Sequence, residues 1–145
     1  MSLEQEKVTR YIVECIYKFL YVQRVVLLLL DNDTNELRLG CYVDLERNIS
    51  DNFVLKKDES ISGFVMTEKR PLIVDNLNDD YYLKKLNKED YLRKSFVSMP
   101  LIFQEEAVGV LHVCEKRRDD VFTKRDISFI TNVAKVAALS LQNVR

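Results

Sequence analysis

Two long stretches with helical periodicity bracket the chain, and every apolar run between them is short enough to be a strand or a turn of helix. The first, Glu4 to Val22, places Val8, Ile12, Cys15, Phe19 and Val22 at spacings of three and four, with Tyr11 and Ile16 widening that face. The last runs from Thr123 to Val144. Thr123 and Asp126 make a capping-box-like pair at its start, and Ile127, Ile130, Ala134, Ala137, Leu141 and Val144 form one apolar stripe. A second stripe, Phe129, Val133, Val136 and Ser140, lies beside it. One stripe suffices to dock a helix on a sheet; two predict that this helix also meets another helix.

Between the brackets, Val25-Val26-Leu27-Leu28-Leu29-Leu30 is too short for a buried helix and stops at Asp31-Asn32-Asp33-Thr34-Asn35, whose side chains bond their own backbone in turns. Leu37, Leu39 and Cys41 alternate after it, the second arm of a hairpin. Phe53-Val54-Leu55 is a weaker strand. Ser60 to Lys69 reads as a short helix capped by Ser60 or Asp58 and ended by Pro71, and Leu72-Ile73-Val74 as a buried strand. The polar segment Asn76 to Arg93 predicts a functional loop holding a helical turn or two. Phe96 to Phe103 and Ala107 to Cys114 form a closing hairpin about Gln104-Glu105-Glu106. Hairpins dominate, so the expected fold is α+β. A central, mainly antiparallel sheet of five or six strands carries the paired terminal helices on one face and short helices and loops on the other. Residues 1–145 are read as one domain, with Met1-Ser2-Leu3 set aside as an expression remnant.

Four stretches, in order, resemble the GAF domain pattern: Ser60-Ile61-Ser62-Gly63-Phe64-Val65, Arg70-Pro71-Leu72-Ile73-Val74-Asp75-Asn76, Ser95-Phe96-Val97-Ser98-Met99-Pro100-Leu101 and Ala107-Val108-Gly109-Val110-Leu111. The helix opening Phe122-Thr123-Lys124-Arg125-Asp126 is similar to that family's ending, so the resemblance, GAF/PAS-like in fold, spans essentially the whole chain. Gly63 is expected to let a helix turn approach the sheet, and Pro100 to sit where the ladder does not need an N–H. Family members that bind cyclic nucleotides often carry Asn-Lys, Phe and Asp-Glu near the end. Here Glu115-Lys116, Phe122 and Asp126-Ile127 keep the Lys, Phe and Asp only. Cyclic-nucleotide binding is therefore not expected, and a Lys116–Asp126 ion pair is expected to be structural.

The resemblance also places a small-molecule cavity between one sheet face and the loops after the short helix. By strand parity Val108, Val110, His112 and Cys114 share one face. The resemblance implies that this face lines the cavity, with Phe96 and Ser98 on the same side and Phe64, Asp75, Leu77, Tyr81 and Tyr82 as its roof. His112 is the chain's single histidine, so a nucleophile–base–acid arrangement has nowhere else to form, and no enzyme is predicted. The acid pairs Asp79-Asp80 and Glu89-Asp90 are read as solvated loop charges. The pocket segments hold no cysteine for sulfoxide reduction. Cys15, Cys41 and Cys114 are each expected to be buried free thiols, so neither covalent bilin, haem nor a metal is required.

Basic residues, at 22, balance 23 acidic ones, and Glu115-Lys116-Arg117-Arg118 runs straight into Asp119-Asp120, which argues against nucleic acid. No apolar stretch approaches the length of a membrane span, and the odd cysteines fit the cytoplasm. Two functions follow. One is a regulatory sensor that takes a small molecule and relays it to an attached output domain: a histidine kinase, cyclic-dinucleotide enzyme, phosphohydrolase or transcriptional activator. The other is a ligand-free module that acts by pairing its terminal helices. Both predict a homodimer, with Ile127, Ile130, Ala134, Ala137 and Leu141 as the dimer helix face.

Overall fold

Ser2 opens the first helix. Its hydroxyl accepts from the Gln5 N–H while the Gln5 side chain accepts from the Ser2 N–H, a reciprocal capping box that starts the helix at Leu3. The computed structural model describes residues 2–143 apart from 47, 51, 90, 91, 93 and 118–120. Val144 and the Arg118-Asp119-Asp120 turn of the sequence analysis lie outside the described residues. Helix α1 (Leu3–Leu20) ends at Tyr21, whose φ of 57° turns the chain directly into strand β1 (Val22–Asp31). Val22 therefore starts a strand and does not close the helix. Asn35, at φ 59°, donates to the Asp31 carbonyl, and the Asp31 carboxylate accepts from the Asp33 N–H, which closes the hairpin to β2 (Glu36–Asp44).

The remaining elements are β3 (Val54–Lys56), α2 (Ile61–Glu68), β4 (Leu72–Val74), α3 (Tyr81–Leu86), β5 (Phe96–Phe103), β6 (Glu106–Lys116) and α4 (Lys124–Asn143). A 3-10 turn at Lys57–Glu59 precedes α2, and another at Leu77–Asp79 precedes α3. The six strands form one sheet in the order β3-β2-β1-β6-β5-β4, antiparallel at every step. Pro100 lies past the end of β4, where β5 has no outer neighbour to receive an N–H.

Each face of the sheet has its own core. Val25, Leu27, Val97, Met99, Leu101, Leu111 and Val113 pack beneath α1 and α4, while Val26, Leu28, Phe96, Val110 and Cys114 pack beneath α2 and the segments around it. The expected division of Phe96 and Ser98 from Val97 and Met99 holds. Two bulges correct the parity elsewhere. Leu28 pairs with Leu39 but Leu27 with Cys41, so Gly40 is extra and Cys41 crosses to the α1 side, away from Leu37 and Leu39. Opposite Leu101 and Ile102, Val108 is extra and joins the terminal-helix core, off the face on which His112 lies.

The turn between β5 and β6 is strained. Gln104 and Glu105 sit at φ 49° and 69°, where a side chain crowds the backbone. Replacing them by Asn and Gly should raise the unfolding free energy by about 1 kcal/mol, read as a higher urea midpoint at unchanged slope.

Candidate functional site

Ser98 and His112 face each other across the β5–β6 ladder, both fully buried. The Ser98 hydroxyl lies 2.5 Å from His112 Nδ1, and on the other side Ser62 Oγ lies 2.7 Å from Nε2. Ser62 is delivered by the first turn of α2, which Ser60 caps by accepting from the Gly63 N–H at 3.0 Å. The Ser62 hydroxyl and N–H both donate to Glu89 Oε1, at 2.7 and 2.9 Å. Glu89 is held by a small fold of its own. Its N–H donates to Asn87 Oδ1, its carbonyl accepts from the Leu92 N–H, and the Asn87 amide donates to the Leu92 carbonyl.

One donor order satisfies these contacts with neutral side chains. Ser98 donates to Nδ1, Nε2–H donates to Ser62, and Ser62 donates to Glu89. Burial lowers the His112 pKa to about 3, which keeps the imidazole neutral, and raises that of Glu89 against the opposing Ser62 hydrogen bonds. The sign for stability follows. The unfolded chain protonates His112 near its ordinary value of 6.5 and the folded chain does not, so stability falls as pH drops below 6.5 towards 3. A His112→Asn variant should show a shallower loss of melting temperature over that acid range than the wild type.

Six of the ten expected pocket residues are buried on this face: Leu77, Phe96, Ser98, Val110, His112 and Cys114. Phe64 is half-buried, its ring edge-to-face with Tyr82 at 6.5 Å. Three do not belong to the roof. Tyr81 and Tyr82 are 80% and 62% exposed, because α3 turns Leu83 inward and these two outward, and Asp75 is exposed after the short edge strand β4. Glu89 is the reverse case: expected to be a solvated loop charge, it is buried at 0% exposure. Asp90 lies outside the described residues. Nothing in a polar loop distinguishes one acid from its neighbour; only the chain's return towards α2 does.

A second buried charge was also missed. Arg24 pairs with Asp44 at 3.0 Å, both side chains at 0% exposure, with Glu115 at 3.5 Å and Glu46 at 3.7 Å. Its register partner on β6 is Cys114, whose thiol burial pushes well up, so it is an inert apolar filler here. The Lys116–Asp126 pair forms at 2.7 Å, and Asp126 also accepts from the Thr123 N–H to start α4.

On the opposite face the terminal helices lie side by side. Ile130, Ala134, Ala137 and Leu141 are buried against the sheet and Ile127 packs at their edge, which corrects their assignment as the dimer face. On α1 the sheet takes Ile12, Val13, Ile16 and Leu20. What remains outward is a groove of about 530 Å³ lined chiefly by Val8, Tyr11, Cys15, Phe129, Val133 and Val136. Tyr11 and Phe19 are each 74% exposed and Val136 64%, and Phe19 meets Phe129 edge-to-face at 6.1 Å. Cys15, expected to be buried, is half-buried at this groove.

Among the described residues no helix is long and apolar enough to cross a membrane, and no three His, Cys, Asp or Glu side chains lie close enough to share a metal ion. A family model described as GAF domain matches residues 2–142. None of the curated proteins matches. Among solved structures, a methyl-accepting chemotaxis protein segment, residues 122 to 287, is 22% identical with a TM-score of 0.86, over 99% of this chain and 92% of that one. A GAF domain of a phosphoenolpyruvate-protein phosphotransferase from Coxiella burnetii is 20% identical with a TM-score of 0.82, over 99% and 86%. A type II free methionine-R-sulfoxide reductase from Thermoplasma acidophilum is 13% identical with a TM-score of 0.76, over 96% and 93%. At these identities the likeness is one of fold.

Proposed function

Because this chain belongs to the GAF domain family, a family of regulatory sensor domains, we propose that it is a non-catalytic regulatory module that pairs with a second copy through α1 and α4 and passes a signal to an attached output domain. The observation that carries this is the apolar groove between those helices. A groove with Tyr11 and Val136 largely exposed, and exposed Phe19 packed edge-to-face on its Phe129, is costly to leave in water, and contiguous apolar surface of this kind marks an interface. A second copy fits by two-fold symmetry, which sets the same stripe against itself.

Catalysis is not supported by the polar chain. Glu89 reaches His112 only through the Ser62 hydroxyl, and Ser62, Ser98 and His112 are all enclosed, so no nucleophile meets a substrate in this arrangement.

Sedimentation equilibrium at micromolar concentration tests the pairing. The wild type is expected at twice the chain mass and Val136→Glu at the monomer mass with an unchanged circular dichroism spectrum, since Val136 touches little of its own core. A wild type that sediments as a monomer at about 100 µM, an affinity no better than roughly −5.5 kcal/mol, would retire the dimer.

The small molecule belongs to the other face. The ligand-responsive form of the proposal places it beside Phe96, Ser98, Val110 and His112. The enclosure of those side chains favours the ligand-free form, in which the helices do all the work. Mass spectrometry of the supernatant after denaturing freshly purified protein separates the two: a stoichiometric small molecule supports a sensor, and its absence supports a pure pairing module.

A further inference from the structure

At the end of the sheet where β1 turns into β2 and β5 into β6 lies a cleft of about 360 Å³. It shares no residue with the α1–α4 groove or with the Ser62–His112–Ser98 chain. Half-buried Leu30, Phe103 and Val108 and buried Met66 give it an apolar surface. The rest of its lining is polar and converges from separate elements. Lys57 stands on the 3-10 turn before α2, and Lys69 at the end of α2. Asn32 follows β1, Gln104 and Glu106 lie at the β5–β6 turn, and Gln142 is in the last turn of α4. Among the described residues none of these six side chains has a hydrogen-bond or ion-pair partner.

Two of the six hold backbone conformations that suit glycine. Lys69 is at φ 56° as the C-cap of α2, and Gln104 is at φ 49° in the hairpin turn. Glycine or asparagine is usual at both kinds of position, because a longer side chain there crowds the backbone. Strain of this sort persists where a side chain serves something other than the fold, and here both strained residues line one cleft. Lys69 also offsets the partial negative charge at the end of α2, a role that Gln104 and Lys57 do not share.

We propose that this cleft is a binding site for a small hydroxylated organic anion, a phosphate or a carboxylate. Lys57 and Lys69 bring two positive charges against the one negative charge of Glu106, so the anionic group is held by the lysines. The amides of Asn32, Gln104 and Gln142 donate to and accept from hydroxyl groups, and Glu106 accepts from one. The carbon chain lies on Phe103 and Val108. Ligand sites run from roughly 300 to 1,000 Å³, so a cleft at the lower end takes a compact anion and leaves out a dinucleotide.

Such a ligand would bridge Gln142, in the last turn of α4, to α2 and to both hairpin turns. It would therefore act on the helix through which a signal is proposed to leave the domain, from a place remote from His112. The site goes beyond the pairing of α1 and α4 and does not depend on it.

The test is an amide spectrum of the isotope-labelled chain, titrated at neutral pH with glycerol phosphate and with glycerate. Sodium chloride holds the ionic strength constant, and glycerol and inorganic phosphate serve as partial probes. Saturable shifts are expected at Lys57, Lys69, Gln104 and Gln142, with a dissociation constant on the order of 1 mM for the better anion. Lys57→Gln combined with Lys69→Gly should weaken binding by about tenfold. Glu106→Gln should strengthen binding of inorganic phosphate by about threefold, because it removes the opposing charge. Gln104→Gly should lower affinity while raising the urea midpoint, a combination that a purely structural side chain does not give. Shifts that fail to saturate for both anions, or that persist unchanged in the lysine double variant, overturn the site. So does inorganic phosphate binding as tightly as glycerol phosphate, or a Gln104→Gly variant that is less stable than the wild type. The readout lies outside the α1–α4 groove, so a failed site leaves the pairing standing, and a monomer leaves the site standing.

Discussion

Gly63→Ala should lower the unfolding free energy by about 3 kcal/mol or more, although alanine normally favours a helix over glycine by roughly 1 kcal/mol. A Cβ on Gly63 would stand 1.4 Å from the Lys57 carbonyl oxygen and 2.3 Å from its carbon. Both are backbone atoms, so no rotamer relieves the clash. The 3-10 turn at Lys57–Glu59 has to move, and it is continuous with β3, which pairs with β2 at Leu37 and Arg38. Glycine is thus needed for the turn that folds back on α2, not for contact between α2 and the sheet as the sequence suggested. For a chain of this size the melting temperature should fall by roughly 10 °C. Gly40→Ala is the internal control: its nearest contact would be 3.2 Å, so about 1 kcal/mol or less is expected. Equal midpoints for Gly63→Ala and wild type in urea would show that the turn does not lie against α2.

Arg24→Ala should cost about 3–5 kcal/mol, because it strands the Asp44 carboxylate at 0% exposure without its cation. The loss should be far from additive. Arg24→Met combined with Asp44→Leu removes both charges and keeps apolar volume, so the double variant should recover much of the stability that either single change loses. Urea titrations of the four proteins close the cycle. A double variant no better than the worse single one would show that the pair is not coupled as the 3.0 Å contact implies.

The sequence pattern predicted the architecture more accurately than it predicted the faces. Periodicity found both terminal helices and each hairpin, since the turn residues at Asp31–Asn35 and Gln104–Glu106 punctuate apolar runs whatever packs on them. Parity along a strand fails wherever a bulge intervenes; a mid-strand glycine such as Gly40 is a bulge signal, whereas Val108 carries none, and Cys41 and Val108 lie on the side opposite to that expected. In the helices both stripes of α4 were visible, but periodicity is silent on which one the sheet takes. The sheet took the small residues Ala134, Ala137 and Ala138, which let α4 approach β5 closely, and left Phe129, Val133 and Val136 to the groove. His112 shares the face of Phe96 and Ser98, as parity predicts, because β5 and β6 are in regular register between Phe96 and Leu101. Its partner Ser62, and Glu89 behind Ser62, come from residues far away in the chain and carry no local signature. Arg24, in mid-strand, could be read only as an interruption of an apolar run.

The sheet ends on each side in a strand of three residues, β3 at one edge and β4 at the other. Such margins offer an incoming chain too few free N–H and C=O groups to extend the ladder, a blunt form of protection against fibril-like stacking and against capture of a foreign strand. Lengthening β4 into the Arg70–Pro71 segment is blocked on that side by proline, which has no N–H to give. The margins thereby disfavour hydrogen-bonded growth, which has no natural stopping point, whereas the proposed pairing of α1 and α4 would close on itself and exhaust its own contact.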